Sequence, residues 1–425
     1  MSHLGCPLGG GLLFSGTPAY AADVTISSSD TTHSGGVNGT TETRNKDGNN
    51  VTIGESGAAG PTINGDVVGG DAASGDATNN TVTINSISLG SGKVIYGGKS
   101  SAGAATGNTV TIAGGTLNSN NKIIGGEGTA SSTSNGNIVN LGDKETGKFD
   151  ANLKRAEIWG TSYNEQVQDN DSDKIKGNTL NVNASGIRLE KVRNFEKINF
   201  NLTPTVKADD TMLTMDTGNF GLGYGKAFDW ENFSLTGKEN DTDKTKYGRI
   251  GNINLLYAYS GSDMKIGNYT TGGKEGTTGD YEYHMVADGG NFMGSRSSQL
   301  IKANVDRFKN ADATANNVTG TAVYGGYSSL GNTTTNNKIK ITNTNNANLN
   351  VYGGYTAGAG DATKNTVTIA DASKVKNVYG GYATAANGTT TNNTVNLGDA
   401  DHTDFAGTAL TNSEIYGGNK AATGN

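Results

Sequence analysis

One cysteine, four prolines and four histidines are all that 425 residues contain of the side chains that most often staple, kink or ligate. The cysteine, Cys6, falls in an N-terminal stretch read below as a removable leader, which leaves the remaining chain without a thiol. Exported proteins ordinarily use an oxidising compartment to form disulfides. A chain that has to stay unfolded while it threads a pore avoids such cross-links. The histidines, His3, His33, His284 and His402, include no pair at metal-ligand spacing and no His-Glu-x-x-His. The chain also has no Gly-x-Ser-x-Gly nucleophile elbow, although a Ser-His-Asp set assembled in space leaves no mark in sequence. Beyond the leader, no stretch approaches the run of about 18 apolar residues that a membrane-spanning helix needs. Basic residues number 33 against 40 acidic ones, for a net charge of −7. With no Lys/Arg stripe, phosphate neutralisation on a nucleic acid is excluded as the main function. Only 33% of residues are hydrophobic, too few for one large globular core. Only 17% are charged, too few for the usual disordered composition.

Glycine, by contrast, is abundant, with 65 residues, about twice its usual share of roughly 7%. It is ordered into a box that keeps returning: Ile95-Tyr96-Gly97-Gly98, Val323-Tyr324-Gly325-Gly326, Val351-Tyr352-Gly353-Gly354, Val378-Tyr379-Gly380-Gly381 and Ile415-Tyr416-Gly417-Gly418. Looser copies are Val67-Val68-Gly69-Gly70, Ile123-Ile124-Gly125-Gly126 and Ile158-Trp159-Gly160-Thr161. Each box is followed by Asn-x-[Val/Ile/Leu]-x-[Ile/Leu/Val], as at Asn80–Ile84, Asn108–Ile112, Asn137–Leu141, Asn178–Val182, Asn337–Ile341, Asn365–Ile369 and Asn393–Leu397, with an early copy at Asn49–Ile53. Gly69, Gly97 and Gly125 are 28 residues apart, as are Gly325 and Gly353, and Gly380 follows after 27. Two repeats are longer, 35 and 37 residues. They share their extra sequence, which starts at Asp143 in one and Asp399 in the other and passes through Phe149 or Phe405.

A period of this length marks a stacked array. Val-Thr-Ile alternates with period two, which is strand spacing, and no amphipathic helix occurs within a repeat. The expected fold is therefore all-β: a right-handed parallel β-helix of ~28-residue repeats, with an irregular β-rich insertion. Each repeat cannot bury its apolar side alone but can do so against the next, roughly 4.8 Å away. Equivalent residues then form ladders. The box Val/Ile should point inward with Val82, Ile84 and their equivalents. Tyr96, Tyr324, Tyr352, Tyr379 and Tyr416 should stack outward, and the motif asparagines should bond side chain to side chain. The paired glycines are expected to supply positive φ at a sharp corner.

The expected organisation is a leader over 1–22, solenoid repeats over 23–185, an irregular β-rich segment over 186–319 and further repeats over 320–425. The leader reading rests on a Gly-rich apolar stretch from Leu8 ending in Ala19-Tyr20-Ala21, although no Lys or Arg precedes Arg44; an ordinary unstructured terminus is the plainer alternative. Within the irregular segment, strands are expected at Ile198–Leu202, Met212–Met215, Ile253–Tyr259 and Tyr281–Val286. A helix is expected at Ser297–Phe308, where Leu300, Ile301, Val305 and Phe308 share a rough face. The last box is followed by only seven residues, one short of the next strand motif, so the chain reads as a piece of a longer protein.

Few residues carry ligand chemistry. Asp169, Asp171 and Asp173 alternate like calcium-loop ligands, but Lys174 takes the glycine position and no Glu closes the loop. Glu239, Asp241 and Asp243 form a similar run; a solvated acidic loop is the plain reading of both. The glycine-aspartate nonapeptides of calcium-binding β-rolls are absent. Gly98-Lys99-Ser100 lacks the upstream glycine of a phosphate loop, and Gly221–Gly225 lacks dinucleotide spacing. No cofactor and no catalytic residue is assigned. The tyrosine ladder has two readings: structural cover for one face, or a row of aromatics offered to a partner.

The Asn-x-Val-Thr-Ile and Val-Tyr-Gly-Gly-Tyr repeats, over about 45–185 and 320–425, resemble those of passenger regions of bacterial autotransporter (type V secretion) proteins. The segment Asn194–Leu202 resembles one found in such passengers. The resemblance implies a passenger threaded through an outer-membrane β-barrel and displayed at the cell surface, commonly as an adhesin and in some members as a carrier of protease or lipase domains. This chain departs from the family in having no C-terminal run of barrel strands. A translocator barrel is thus expected in the full-length protein. The functional expectation is a structural and adhesive passenger without catalysis, binding a host-cell surface, matrix protein or glycan through its faces and the loops near Asp143 and Asp399. A hydrolase site within 186–319 and a non-binding spacer or shielding fibre are the alternatives.

Overall fold

The computed structural model describes residues 23–420 apart from 30–31, 34–35, 40–45, 119, 130–131, 154–155, 163–171, 216–219, 222–229, 259–272, 289–298, 371–372, 399–409 and 411–412. Cys6 and the leader lie outside the described residues. The fold is an all-β parallel solenoid. Its first long sheet is built from the Asn-x-Val-x-Ile motifs: Asp23–Ile26, Asn50–Ile53, Thr81–Ile84, Thr109–Ile112, Ile138–Leu141, Thr179–Val182, Lys197–Asn201 and Phe233–Thr236, all parallel neighbours. The second is built from the Gly-Gly boxes, among them Val67–Ala72, Val94–Ser100, Lys122–Glu127 and Glu157–Ser162. A third, of shorter strands, closes the rung. A second stack repeats the scheme with Asp312–Asn316, Lys338–Thr342, Thr366–Ile369 and Thr394–Leu397 on one side. On its other side run Ala322–Ser328, Asn350–Thr356, Asn377–Ala383 and Glu414–Tyr416.

In-register stacking turns the sequence pattern into columns. Val51, Val82, Val110, Val139, Leu180, Ile198 and Phe233 succeed one another rung by rung. All seven are buried, as is the parallel column from Ile53 to Leu235. The core side chains grow from valine to phenylalanine along the stack, and Phe200 stacks on Phe233 at 6.5 Å. Between the two inward columns runs an outward one of Thr and Asn. There the amides of Asn140, Asn181 and Asn199 donate in turn to Thr111, Asn140 and Asn181 at 2.7–3.2 Å.

The motif asparagines form the expected ladder, buried at Asn49, Asn80, Asn108, Asn137, Asn178, Asn337 and Asn365 and part-exposed at Asn393. The side-chain amide and the backbone N–H of Asn80 both donate to Asn108 Oδ1, at 2.9 and 3.0 Å. Asn108 repeats this on Asn137, Asn337 on Asn365 and Asn365 on Asn393. The residue preceding each ladder asparagine is left-handed: Gly48, Asn79, Gly107, Gly136, Gly177, Asn336, Lys364 and Asn392. That residue, and not the glycine pair, is the positive-φ corner. None of Gly97, Gly98, Gly325, Gly326, Gly353, Gly354, Gly380 or Gly381 has positive φ. The pair is required for space. A Cβ on Gly98 would lie 2.6 Å from Asn108 Nδ2, and one on Gly97 would lie 2.9 Å from Asn108 Cβ.

Parallel pairing continues past residue 186. Lys197–Asn201 and Phe233–Thr236 extend the first sheet, and Ile187–Leu189, Thr211–Met215 and Arg249–Ala258 run parallel in another. The four expected strands are present, at Lys197–Asn201, Thr211–Met215, Arg249–Ala258 and Tyr281–Asp288. The expected helix is not: Gln299–Arg307 is a strand, antiparallel to Arg249–Ala258 on one side and to Tyr281–Asp288 on the other. Ile301, Ala303 and Val305 alternate inward, so period two governs where a helical spacing had been read. Two apolar cores result, one from Val37 to Val305 and one from Ala313 to Val378.

Two expectations follow for stability. Asn108→Ala leaves the Asn80 amide and the Ala77 carbonyl without partners, and should cost about 2–4 kcal/mol, read as a lower urea midpoint. Lys364 is exposed and alone among the corner residues in being neither Gly nor Asn. Lys364→Asn should raise stability by about 0.5–1 kcal/mol in the same titration.

Candidate functional site

Among the described residues, repeated aromatic side chains converge on the outer side of the box strands in the second stack. The strand Ala322–Ser328 is buried at both Gly325 and Gly326, so its in–out alternation slips by one residue there. Tyr324 and Tyr327, three apart, therefore reach the same side. Their copies do likewise, and two columns form. Tyr324, Tyr352, Tyr379 and Tyr416 stack at 5.1, 4.9 and 5.2 Å with planes within 14°. Tyr327, Tyr355 and Tyr382 stack at 5.2 and 5.3 Å with planes within 3°. Across the columns the rings meet edge to face at 4.8–5.7 Å. Each such contact contributes about 0.5–1.5 kcal/mol beyond burial. The Arg249 guanidinium, 5.3 Å from the Tyr327 ring, closes one end, and Tyr416 donates to Glu414 Oε2 at the other.

The rings are partly covered rather than projecting: Tyr379 is 9% exposed and the others intermediate. Burial pushes the Tyr324, Tyr327, Tyr352, Tyr355 and Tyr379 phenols up. Tyr96 does not join a tyrosine column. Its neighbours are Val68 and Ile124, and with Trp159 they form a small apolar cluster in which Tyr96 is 6% exposed. Lys99 lies 4.9 Å over the Tyr96 ring and 3.8 Å from Glu127, roofing that cluster. The second column, Tyr327, Tyr355 and Tyr382, was not anticipated. Its signal was present in the fifth residue of Val-Tyr-Gly-Gly-Tyr.

Of the calcium candidates, Asp169 and Asp171 lie outside the described residues, and Asp173 is exposed on the single turn Ser172–Ile175. Among the described residues no three His, Cys, Asp or Glu gather as a metal site. His284 is half-exposed on a hairpin, its Nδ1 3.7 Å from Glu275. The loop at Asp143 is braced from within: Asp143 Oδ1 accepts from Thr146 N and Oγ1 at 2.7 Å, donors that hold the carboxyl below its usual range. Asp399 lies outside the described residues.

The run Glu239, Asp241, Asp243 is not a merely solvated loop. Arg307, 1% exposed, donates to the carbonyls of Asp241, Asp243, Lys246, Lys309 and Asn310, and to Asp280 Oδ2 at 3.3 Å. Asp243 pairs with Lys246 at 2.7 Å, and Tyr281 donates to Asp241. Burial pushes the Asp243 carboxyl up, but Lys246 and the Thr245 donors outweigh it and hold it low. This clamp joins the antiparallel strands to the 241–246 segment and to the Lys309–Asn310 turn that leads into the second stack.

Beside it, Glu282 and Asp306 face each other across paired strands, both buried. Glu282 accepts from Ser328 Oγ, Ser329 N, Leu330 N and Asn332 Nδ2 at 2.6–3.0 Å. Asp306 has only the Ser329 hydroxyl, at 2.7 Å, which it shares with Glu282, and its other oxygen is unpartnered. Burial and the neighbouring Glu282 charge push the Asp306 carboxyl up to about 6. Chemically, Glu282 and Asp306 hold the loop that follows Ser328. No protein-family model, curated protein or solved structure matches the chain.

A carboxyl raised in the fold contributes stability below its unfolded pKa and loses it as pH rises through 6. On Asp306 alone, lowering pH from 7.5 to 5 should raise stability by about 1–3 kcal/mol. Asp306→Asn should remove that part of the slope; urea midpoints at the two pH values check it.

Proposed function

We propose that the chain is a surface-displayed passenger of the autotransporter kind, structural and adhesive, without catalysis. Its export would begin from the leader at 1–22 and finish through a C-terminal translocator barrel. The observation that carries the adhesive part is the tyrosine face: seven rings in two interlocked columns on an outer surface. Aromatic side chains are enriched where proteins recognise one another, because they offer large area at low conformational cost. The geometry also bears on the kind of partner. Ring faces are already spent on their neighbours in the column, so ring edges and phenol oxygens remain for contact. That favours a host-surface or matrix protein over a sugar stacked on a ring face.

Stacking also supports the spacer reading, because a column satisfied by its own neighbours requires no ligand. Adherence separates the two. The purified chain is expected to bind a panel of host cells and matrix proteins. Tyr327→Thr/Tyr355→Thr/Tyr382→Thr should weaken that by about tenfold or more while the circular dichroism spectrum stays β-rich. No adherence to any cell, matrix protein or glycan would sink the adhesive reading and leave the spacer.

A further inference from the structure

Where the loop inserted at Asp143 leans on the segment after the first sheet, a hollow of about 520 Å³ opens. That volume is ordinary for a small-molecule site. One wall is Lys144 and Glu145 of the inserted loop; the other is Thr236–Lys238 and Asp241–Lys244. Asn201, Leu202, Thr203 and Pro204 form the floor. The walls are tied together. Thr205 Oγ1 donates to the Gly147 carbonyl at 2.9 Å, and Lys238 reaches Glu145 at 2.8 Å. The Asp241–Lys244 wall is the segment gripped from behind by Arg307. The hollow is thus held by fixed elements rather than formed by a chance approach of loops.

Its charge is sorted by side. Asp243 is turned inward onto Lys246 with its side chain 7% exposed, and Asp241 accepts from Tyr281 and from Asp243 N. Toward solvent stand Lys144, Lys238 and Lys244, all exposed, against Glu145 alone. Among the described residues neither Lys144 nor Lys244 forms an ion pair. This happens in a chain whose net charge is −7. Between the lysines stand the exposed Thr236 and Thr242, the Thr236 hydroxyl donating to Asn199 Oδ1 and so offered to a ligand as an acceptor, above exposed Pro204 and buried Leu202; the buried Thr203 hydroxyl is turned away onto the Asn183 carbonyl. Hydroxyls above an aliphatic floor match a pyranose, which alternates O–H and C–H. Two unpaired ammoniums match a carboxylate or sulfate on it.

We propose that this hollow binds an acidic saccharide, a short stretch of a carboxylated or sulfated glycan, and so gives the adhesive surface its second specificity. The assignment rests on the adhesive reading but involves none of its tyrosines.

Calorimetric titration of the purified chain at low salt tests it. The probes are a sulfated uronic-acid hexasaccharide, its desulfated form, a neutral dextran oligomer, polyglutamate and sodium sulfate. Binding is expected for the sulfated sugar, weaker for the desulfated acid and absent for dextran, and it should weaken as salt screens the charges. Lys144→Gln/Lys244→Gln should lower affinity about tenfold or more. Lys364→Gln/Lys376→Gln, an equal charge change at exposed distant sites, should leave it unchanged. Equal losses in both double variants, equal affinity for polyglutamate, full competition by inorganic sulfate, or no binding by the unaltered chain would each overturn the proposal. Cell adherence measured on the same variants separates the readings. Adherence retained without saccharide binding removes the hollow and keeps the adhesive face; loss through the tyrosine variant alone leaves the hollow to stand on its titration.

Discussion

The buried asparagine ladder is the constraint from which the rest of the architecture follows. Along the ladder, as at Asn108, the backbone N–H and the side-chain amide both donate to the next carboxamide oxygen, and the residue's own oxygen receives the same two donors from the preceding rung, so no member is satisfied without its neighbours. This couples side-chain chemistry to backbone register. To enter the ladder the chain must turn sharply, hence the left-handed residue just before each asparagine. To leave room for it, the facing box strand must lack Cβ atoms, hence the glycine pair. The extra loop of the long repeat sits away from the ladder, between Leu141 and Asp150–Asn152. Where the ladder ends, at Asn178 bonded to the Asn194 carbonyl, the rung changes character. Gly-Gly becomes Gly160-Thr161, the Thr161 hydroxyl donating to Gly126 O, and Phe195, Phe200 and Phe233 fill the widened core.

Much of this was legible because stacking makes sequence repetition and spatial neighbourhood the same thing. Val-Thr-Ile alternation assigns the inward columns, and the recurring asparagine assigns the ladder. What failed did so for a common reason: the decisive neighbour lay in another rung or another strand. The glycine pair looks like a turn until Asn108 is seen against it; nothing within Tyr96–Gly98 reports that contact. Ser297–Phe308 looks helical because Leu300, Ile301, Val305 and Phe308 share a rough helical face, whereas the inward strand face is Ile301, Ala303 and Val305. Asp306 and Arg307 obscure the strand, since charged residues are rarely buried unless paired. Their partners, Asp280, Glu282 and the carbonyls of 241–246, are more than twenty residues away. The clamp is thus a long-range polar network that no local pattern announces.

The acidic run at 239–243 shows the same limit at the candidate sites. Alternating carboxylates invite a calcium reading, and the run occurs where a loop would be expected. In the fold, Lys246, Arg307 and Tyr281 occupy the positions that a cation would have to fill. The buried charges serve registry between the antiparallel strands and the second stack, a role for which buried ion pairs are better suited than for net stabilisation.

The residue after each glycine pair shows what such a frame leaves free. In the first stack it reads Asp71, Lys99, Glu127; in the second, Tyr327, Tyr355, Tyr382. These positions are superposed in register, so each side chain lies against its own copies. Identical tyrosines tolerate that, because offset rings attract. Identical charges do not, and the first stack alternates sign, with Lys99 reaching Glu127 at 3.8 Å. The two solutions differ in what they present. A half-exposed charge column is screened by salt and partly offset along its own length, Lys99 against Glu127. A tyrosine column is insensitive to salt and offers a repeated pattern of edges and hydroxyls to anything laid along it. With the inward columns committed to packing and the ladder to register, only such outer positions can change chemistry without changing the fold. The second stack's face and the inserted loop are two places where the repeats depart from one another in this way, and the proposed recognition is assigned to them for that reason.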